Sequence, residues 1–271
     1  MRGINTWEEV LGFVSEFRNK GCFINNFYPN ESEMSVWIEN GEFFVGAVDG
    51  TSCFFVRKTE IAAFLYFFVA DICDLKQTLP KIQNLLSGEV LVYDYICKND
   101  EERNRIKEVS ALCEFELHTS LRRMSFVSNG VSFENESEVA FAGYEDLDCL
   151  LGIFKSAFDP ISERIPTRHQ LKSYVEHRSV LICKKQNQIA GFAVIAIHKK
   201  MMYLKHLFTS PDFRRQGIAE KLLKKAFFLS EGCVRFMLWV IDTNIPAINL
   251  YKKFGYDFEA LSNYTFISKQ Q

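Results

Sequence analysis

The sequence predicts a mixed α/β protein built from two tandem domains, each with a mostly antiparallel sheet flanked by helices. Three observations lead to this fold class. The chain has 271 residues, which is long for one compact domain and suits two of about 130 residues each. Apolar stretches at strand spacing alternate with amphipathic stretches at helical spacing. The order of these stretches is nearly the same in the two halves, as in an internal repeat.

Composition excludes several classes of protein. Hydrophobic residues make up 48% and charged residues 24% of the chain, which is ordinary for a globular protein. A formal net charge of -2 provides no broad basic field, so no nucleic-acid partner is expected. The most apolar stretch, residues 61–70, is about half the length of a membrane helix, so it predicts a buried strand and no membrane partner. The opening MRGINTWEEV does not resemble a secretory signal, and a cytoplasmic location is expected.

The eight cysteines form no CxxC pair, and no histidines accompany them at metal-ligand spacing. We therefore expect reduced core thiols and no metal.

The N-terminal domain, residues 1–130, begins with an amphipathic helix and continues through three strands. A helix, a strand, a second helix and a closing strand follow. The predicted elements are a helix over 6–20, strands over 42–48, 51–58 and 62–70, a helix over 75–86, a strand over 89–97, a helix over 102–115 and a strand over 116–126.

The junction is placed at residues 127–137, where Ser, Asn, Gly and Glu separate two strongly patterned regions. The C-terminal domain, residues 137–271, then repeats the order of strands and helices. The predicted elements are a strand over 138–142, helices over 146–158 and 169–177, strands over 179–185, 189–199 and 201–209, a helix from 218, a strand over 234–241, a short helix over 245–254 and a closing strand or hairpin.

Residues 214–219 read Arg-Arg-Gln-Gly-Ile-Ala and lie between a predicted strand and the next helix. Small residues at Gly217 and Ala219 allow close approach of an anion, and consecutive N–H groups at a helix start bind anions. Arg214, Arg215 and Lys221 add positive charge. The pattern predicts a pyrophosphate site, with a simple tight turn at Gly217 as the alternative.

A second pattern, N-x-x-A-x-x-L-Y-x-x-F-G-Y, occupies residues 244–256. Together with the strand, loop and helix before it, this pattern resembles the GCN5-related N-acetyltransferase (GNAT) superfamily over about residues 137 to 268. The resemblance implies an N-acetyltransferase that transfers an acetyl group from acetyl-CoA to a primary amine of a small molecule or peptide. Transfer would proceed by direct attack in a ternary complex.

The resemblance also implies cofactor-binding residues. Backbone amides of Arg214, Arg215, Gln216, Gly217, Ile218 and Ala219 would hold the pyrophosphate. The strands over 201–209 and 234–241 would splay so that the pantetheine arm lies between them. Backbone groups of Leu207, Phe208 and Thr209 would then bind the arm and polarise the acetyl carbonyl. Asn244 matches a residue that contacts the arm or caps a helix, and both interpretations suit its position.

Tyr251 matches the family position whose hydroxyl protonates the departing thiolate, and a packing aromatic is the alternative. The residue that matches the family's usual base, a Glu, is Tyr203 here. This departure leaves Tyr203, His206, or a water chain ending at Glu163 or His169 as candidates. Strand alternation is expected to place His206 on the face opposite Tyr203.

Acceptor recognition in the family involves residues 159–170. Glu163, Arg164 and Arg168 are either acceptor contacts or solvated charges.

The N-terminal half lacks the loop pattern, and Cys113 stands where the second half has Tyr251. We therefore interpret it as a degenerate GNAT-like domain without cofactor binding.

Two other functions remain open at this point. One is a non-catalytic acyl-CoA-binding or regulatory protein, and the other is an aminoacyl-tRNA-dependent transferase. The acceptor and the oligomeric state are not readable from the sequence.

Overall fold

The computed structural model describes residues 1–29, 31–49, 52–128 and 135–269. The chain divides into two compact units. Unit 1 contains Met1–Ser120 and Ala260–Gln271, and unit 2 contains Leu121–Glu259. The predicted junction at residues 127–137 falls largely on residues 129–134, which lie outside the described residues.

Unit 1 is a sheet with strand order β1-β3-β4-β5-β6-β13 and helices against it. All neighbouring pairs are antiparallel except β5 and β6, which are parallel. Its elements in chain order are β1 Arg2–Gly3, α1 Trp7–Asn19, β2 Ile24–Asn25, α2 Glu31–Glu39, β3 Phe43–Asp49, β4 Ser52–Lys58, β5 Ala63–Val69, α3 Leu75–Leu85, β6 Leu91–Cys97, α4 Asp100–Leu112, the start of β7 Phe115–Val127, and most of β13 Asp257–Ser268.

Unit 2 has strand order β7-β12-β11-β10-β9-β8, again with one parallel pair, β11 with β12. Its elements besides the end of β7 and the start of β13 are β8 Val139–Phe141, α5 Leu147–Ala157, α6 Arg168–Glu176, β9 Val180–Lys185, β10 Gln188–His198, β11 Met201–Thr209, α7 Ile218–Leu229, β12 Arg235–Ile241 and α8 Ile245–Lys253.

The predicted fold class, mixed sheets flanked by helices, is confirmed. The predicted helices and strands are all present with ends shifted by a few residues. Three short elements, β1, β2 and α2, were not predicted. Strands β1 and β2 are only two residues long, too short to show the alternation of a strand. In α2, ESEMSVWIE, apolar and polar residues are only weakly separated onto two helix faces, so helical spacing did not reveal it.

The division into units differs from the linear boundaries 1–130 and 137–271. Residues 121–127 of β7 pair with β12 in unit 2, and residues 262–267 of β13 pair with β6 in unit 1. The last strand of each half therefore completes the sheet of the other unit. Alternation along a sequence predicts a strand but not the edge with which that strand pairs.

Each unit has its own hydrophobic core on both faces of the sheet. In unit 2, α7 buries the predicted face of Ile218, Leu222, Leu223, Ala226 and Phe227. This face packs with Tyr251 and with residues of β11 and β12 in one cluster. The opposite face of the sheet packs against α5 and α6.

None of the eight cysteines, all of which lie within the described residues, forms a disulfide, and six of the eight are buried. Cys73 and Cys149 are exposed. The expectation that most are core thiols is thus confirmed. In the part of the chain that the structure describes, no helix has the length and apolar character needed to cross a membrane.

Gly191 of β10 sets how closely the start of α7 approaches the sheet. A Cβ atom at this position would lie 2.6 Å from the carbonyl oxygen of Phe208 and 2.8 Å from Cγ2 of Ile218. Backbone cannot move away as a flexible side chain can, so the position requires glycine. The close approach anchors the first residue of α7 directly over β10 and β11.

We predict that Gly191→Ala destabilises unit 2 by about 1–3 kcal/mol, because the added methyl overpacks a rigid backbone contact. Gly152→Ala is the matched control. Gly152 lies inside α5 with nothing within 4 Å of a built Cβ, so alanine there should stabilise by about 0.5–1 kcal/mol. Calorimetric unfolding of the two variants checks the difference, and equal midpoints would contradict it.

Candidate functional site

The central feature of unit 2 is a fork between β11 and β12. The two strands pair in parallel only over Met201–Leu204 and Arg235–Leu238. On their other sides, β11 stays paired with β10 as far as Thr209, and β12 stays paired with β7 as far as Ile241. Within the described residues, β11 and β12 form no ladder with each other beyond Leu204 and Leu238. We call this divergence the unit 2 fork.

A β-bulge lies at the start of the fork. His206 lies opposite Val194, and Leu204 lies opposite Ile195, so Lys205 is one extra residue in β11. A bulge bends its strand and increases the local twist. The bulge at Lys205 directly follows Leu204, the last residue of β11 that pairs with β12.

The bulge corrects the expectation for His206. Tyr203 lies opposite Ala196, and His206 lies opposite Val194. Ala196 and Val194 are two apart and share one face of β10, so Tyr203 and His206 also share a face. The prediction that they point to opposite faces was wrong, because simple alternation does not include the extra residue.

His206 lies in an aromatic environment on this shared face. Its ring is 5.0 Å from that of Phe154 and 5.4 Å from that of Phe158, both edge-on. Burial, with a contribution from the charge of Lys205, lowers the pKa of His206 to about 4, against a hydrogen bond with the backbone of Arg164. The imidazole is therefore neutral at pH 7 and lies beside the segment 159–167.

Tyr203 is a buried phenol with two cations in its surroundings. Burial raises the pKa of Tyr203 to about 12, and the charges of Arg164 and Arg123 oppose that shift. The guanidinium of Arg123 donates from Nε to a carboxylate oxygen of Glu259 at 2.6 Å. At neutral pH Tyr203 is protonated, so it is a hydrogen-bond donor there and not a base.

Glu163 lies in the loop between α5 and α6. Its carboxylate accepts a hydrogen bond from the N–H of Asp159 at 2.9 Å. Burial raises the pKa of Glu163 above its usual range; the Asp159 N–H opposes that shift and the Asp159 charge adds to it. By contrast, His169 and Arg168 are exposed on the first turn of α6, and Arg168 pairs with Asp148.

The loop at residues 214–217 has the backbone of an anion nest. Arg214 is extended with φ of -64°, whereas Arg215 and Gly217 are left-handed with φ of 60° and 76°. Gly217 is the N-cap of α7 and provides no side-chain cap for the first-turn amides. Alternating backbone conformations before a helix start direct successive N–H groups to one point.

The loop has exposed side chains until Ile218, the first residue of α7, which is buried in the core. Ile218 is 1% exposed in the core, whereas Arg214, Arg215, Gln216 and Gly217 are exposed. Lys221 differs from its predicted role as an added cation, since it pairs with Glu138. Hydrogen bonds from Lys185 and Lys221 lower the pKa of Glu138 to about 2.

The end of β11 carries a buried polar atom. The hydroxyl oxygen of Thr209 has no hydrogen-bond partner among the described residues. Buried polar groups are nearly always bonded to protein, water or ligand. Leu207 packs against the α7 side of the sheet, and Phe208 packs on the opposite side, 5.5 Å from the ring of Phe192.

The 244–256 pattern forms α8 and the turn after it. Asn244 is the N-cap of α8, and its side-chain oxygen accepts from the N–H of Ala247 at 3.2 Å. Tyr251 is 7% exposed and packs in the cluster that includes Leu204, Leu238 and Ile218. Burial raises the pKa of Tyr251 well above its usual range, so the phenol is protonated at neutral pH.

The structure thus groups the predicted residues by place. The fork holds Leu207, Phe208 and Thr209, the nest holds residues 214–219, and the core beside the fork holds Tyr251. Among the described residues, no group of three or more His, Cys, Asp or Glu side chains is arranged to hold a metal. Sequence reasoning missed the bulge at Lys205 and the close approach at Gly191, and only the glycine has a visible signal.

Comparisons with known proteins found a matching family model, similar sequences and a similar fold. Residues 147–256 match the model of the acetyltransferase (GNAT) family. Thialysine N-epsilon-acetyltransferase of Mus musculus is 43% identical over 56 residues, which are 20% of this chain and 33% of that protein. A putative [ribosomal protein bS18]-alanine N-acetyltransferase of Bacillus subtilis is 29% identical over 113 residues, which are 41% of this chain and 74% of that protein.

A solved structure has a similar fold over nearly the whole chain. It is a tandem GNAT protein from the clavulanic acid biosynthesis pathway, with a TM-score of 0.57 and 8% identity. The alignment covers 97% of this chain and 95% of that one.

The chain spans about a third of the length of the thialysine N-epsilon-acetyltransferases that it matches.

We predict that His206 makes unit 2 less stable as the pH falls from about 6.5 towards 4. The folded pKa of about 4 lies below the ordinary value near 6.5, so the stabilising contribution is present above pH 6.5 and is lost on acidification. His206→Gln should show a smaller fall in melting temperature between pH 7 and pH 5 than the natural protein. Equal falls would contradict the burial of a neutral ring.

Proposed function

We propose that this chain transfers an acetyl group from acetyl-CoA to a primary amine. The proposal starts from the match of residues 147–256 to the acetyltransferase (GNAT) family. The observation that carries the proposal is the combination of the unit 2 fork with an anion nest at the start of α7. A strand-shaped opening and an anion site in succession suit a ligand with an extended amide-containing arm and a pyrophosphate.

The fork suits the pantetheine arm because its strand edges carry backbone groups that need partners. Amides of an extended arm can bond with a strand edge as another strand would. We assign this role to the backbone of Leu207, Phe208 and Thr209. The unpartnered Thr209 hydroxyl supports a polar ligand in the same place.

The nest suits the pyrophosphate. We assign it the backbone amides of Arg214, Arg215, Gln216, Gly217, Ile218 and Ala219. Within the described residues, neither Arg214 nor Arg215 forms an ion pair, and both are exposed. Their side chains can therefore add charge-assisted hydrogen bonds to the pyrophosphate. Asn244 uses its oxygen as a helix cap, and we assign its amide nitrogen to the cofactor arm.

Acetyl-CoA supplies an acyl group activated as a thioester. The amine nitrogen forms a bond to the acyl carbon, the carbon–sulfur bond breaks, and the sulfur leaves as a thiolate that takes a proton. The nitrogen loses a proton in turn. Holding both substrates in one complex supplies much of the acceleration.

Tyr251 is the proposed acid for the thiolate. Its buried phenol is protonated at neutral pH, and it belongs to the same core cluster as Leu204 and Leu238, the last paired residues of the fork. A positioned proton donor contributes typically about 10²–10⁴-fold to a rate.

The proton of the amine passes, in this proposal, to the neutral ring of His206 or through water to Glu163. The ring of His206 is neutral at pH 7 and so has an unprotonated nitrogen, whereas Tyr203 is already protonated. The pH dependence of kcat in His206→Gln and Glu163→Gln distinguishes them. The group whose loss removes the acidic limb is the acceptor, and unchanged profiles in both would exclude the pair.

The acceptor is proposed to be a primary amine of a small molecule or a peptide. The two curated relatives are named for acetylating thialysine and a ribosomal-protein alanine, and both acceptors are amines. Arg164 lies close enough to both Tyr203 and His206 to affect their pKa values, and we expect the amine to approach this face of the sheet.

We predict that Gly217→Glu abolishes the thermal shift that CoA produces. Gly217 has a φ of 76°, which disfavours any side chain, and a carboxylate would repel the pyrophosphate. The measurement is the melting temperature with and without CoA.

Gly152→Glu places the same charge on an exposed helix position with free space, and it should retain the shift. A shift that persists in Gly217→Glu would refute the assignment of the nest.

We predict that Tyr251→Phe lowers kcat by about 10²–10⁴-fold, with little change in CoA affinity, because only proton donation is lost. Tyr256→Phe is the matched control. Its ring lies 5.8 Å from that of Tyr251, and its buried hydroxyl bonds to no described residue, so its removal breaks no hydrogen bond between described residues and should lower turnover far less than Tyr251→Phe does.

Thiol release from acetyl-CoA with a panel of amines provides the readout. Should the natural protein bind CoA but release no thiol with any amine, the chain would be a non-catalytic acyl-CoA-binding protein instead.

A further inference from the structure

Unit 1 contains a fork of its own between β5 and β6. These strands pair in parallel only at Ala63 with Leu91 and at Phe64 with Val92. β5 then continues to Val69 along β4, and β6 continues to Cys97 along β13. We call this divergence the unit 1 fork. Its backbone edges pose the same hydrogen-bonding requirement as those of the unit 2 fork.

A segment of the chain itself meets that requirement on the β5 side. Strand β2 pairs antiparallel with the end of β5, Ile24 with Val69 and Asn25 with Phe68. The next residue, Asn26, is 1% exposed. Its side-chain nitrogen donates to the carbonyl oxygen of Leu65 at 2.9 Å, and its side-chain oxygen accepts from the N–H of Phe67 at 2.7 Å.

The same segment reaches the β6 side of the fork. The hydroxyl oxygen of Tyr28 accepts a hydrogen bond from the N–H of Ile96 at 3.0 Å. Between these two polar residues, the ring of Phe27 lies 5.6 Å from that of Phe55 and 5.5 Å from that of Phe68. Residues 24–28 therefore bond with both strands of the fork and are anchored in the core.

The bonded positions correspond to the proposed cofactor positions in unit 2. Phe67 and Val69 lie three and five residues beyond Phe64, the last residue of β5 paired with β6. Leu207 and Thr209 lie three and five residues beyond Leu204, the last residue of β11 paired with β12, when the bulge residue Lys205 is counted. Phe67 and Leu207 both pack on the side of the sheet that carries the next helix, α3 or α7. The carboxamide of Asn26 thus occupies in unit 1 the kind of place proposed for an amide of the pantetheine arm in unit 2.

The turn before α3 also differs from an anion nest. The carboxylate of Asp71 accepts from the N–H of Cys73 at 2.8 Å, and that of Asp74 accepts from the N–H of Asp71 at 2.9 Å. Arg105 bonds to Asp71 at 2.8 Å. Protein carboxylates thereby accept from amides at this turn and add negative charge, whereas the start of α7 has no side-chain cap.

We propose that residues 24–28 are an internal substitute for the cofactor arm, which closes the unit 1 fork, so that the chain binds one acyl-CoA, in unit 2 alone. The identity of the ligand rests on the proposed function, whereas the closure of the unit 1 fork does not. Unit 1 keeps the architecture of a second site and uses it for its own stability.

Hydrogen exchange followed by mass spectrometry tests the proposal on the full chain with CoA as the probe. In the absence of CoA, the amides of Phe67 and Ile96 should be protected, and CoA should leave peptides 64–69 and 92–97 unchanged. Peptide 205–209 should gain protection with CoA. Calorimetric titration should give one CoA per chain.

A matched pair of variants tests the segment directly. Asn26→Ala should speed exchange of the Phe67 amide by about ten- to a hundredfold, because it removes the acceptor of a buried N–H. Asn25→Ala is the control. Among the described residues, the side chain of Asn25 bonds to Phe23 and Phe27 of its own segment and to neither β5 nor β6, so the variant should leave that exchange rate unchanged.

The inference is overturned if two CoA molecules bind per chain, or if adding CoA gives new protection to residues 64–69. Fast exchange of Phe67 in the natural protein would overturn it as well. If CoA neither binds nor protects residues 205–209, the proposed function fails, and the exchange of Phe67 in the two Asn variants still decides whether the fork is closed.

Discussion

The interruption of pairing between β11 and β12 after Leu204 and Leu238 is the constraint on which the rest of unit 2 depends. A strand edge with unused N–H and C=O groups inside a domain needs a partner. Three local features accompany the divergence. The extra residue at Lys205 bends β11, the glycine at position 191 lets α7 begin directly over the sheet, and Ile218 anchors the end of the nest in the core. Together they place the proposed anion site directly after the proposed binding edge of β11 along one segment of chain.

Unit 1 meets the same constraint in another way. Its β5 and β6 also diverge, but β2, Asn26 and Tyr28 bond with the diverging edges. The substitution concerns hydrogen bonds rather than fold, so the same divergence of strands is possible when protein groups rather than a ligand bond with the strand edges. Cys113, at the position expected to match Tyr251, fits this picture. It is buried, and its thiol contacts the carbonyl oxygen of Leu75 at 3.8 Å, so it serves packing within the unit.

Much of the fold was predictable because periodicity reports on burial. The helical face of α7 and the bounds of β11 followed directly from apolar spacing. The nest was predictable because Gly217 and Ala219 are visible in the sequence. Three features were not predictable. The exchange of the closing strands depends on which edges meet, the bulge depends on a register that single-strand alternation does not contain, and β2 is too short to have a period. The bulge matters most for chemistry, because it brings His206 to the face of Tyr203. The degenerate character of the N-terminal half remains a prediction.

The most direct test of the account is a crystal structure of the protein with CoA. We expect the pantetheine arm between β11 and β12 beyond Leu204, with its amides bonded to the backbone of residues 207–209 and the pyrophosphate at residues 214–219. Unit 1 should contain no CoA, with Asn26 still bonded to Leu65 and Phe67. CoA bound elsewhere on unit 2, with β11 and β12 paired or unoccupied beyond Leu204, would contradict the central claim that the fork is the cofactor site.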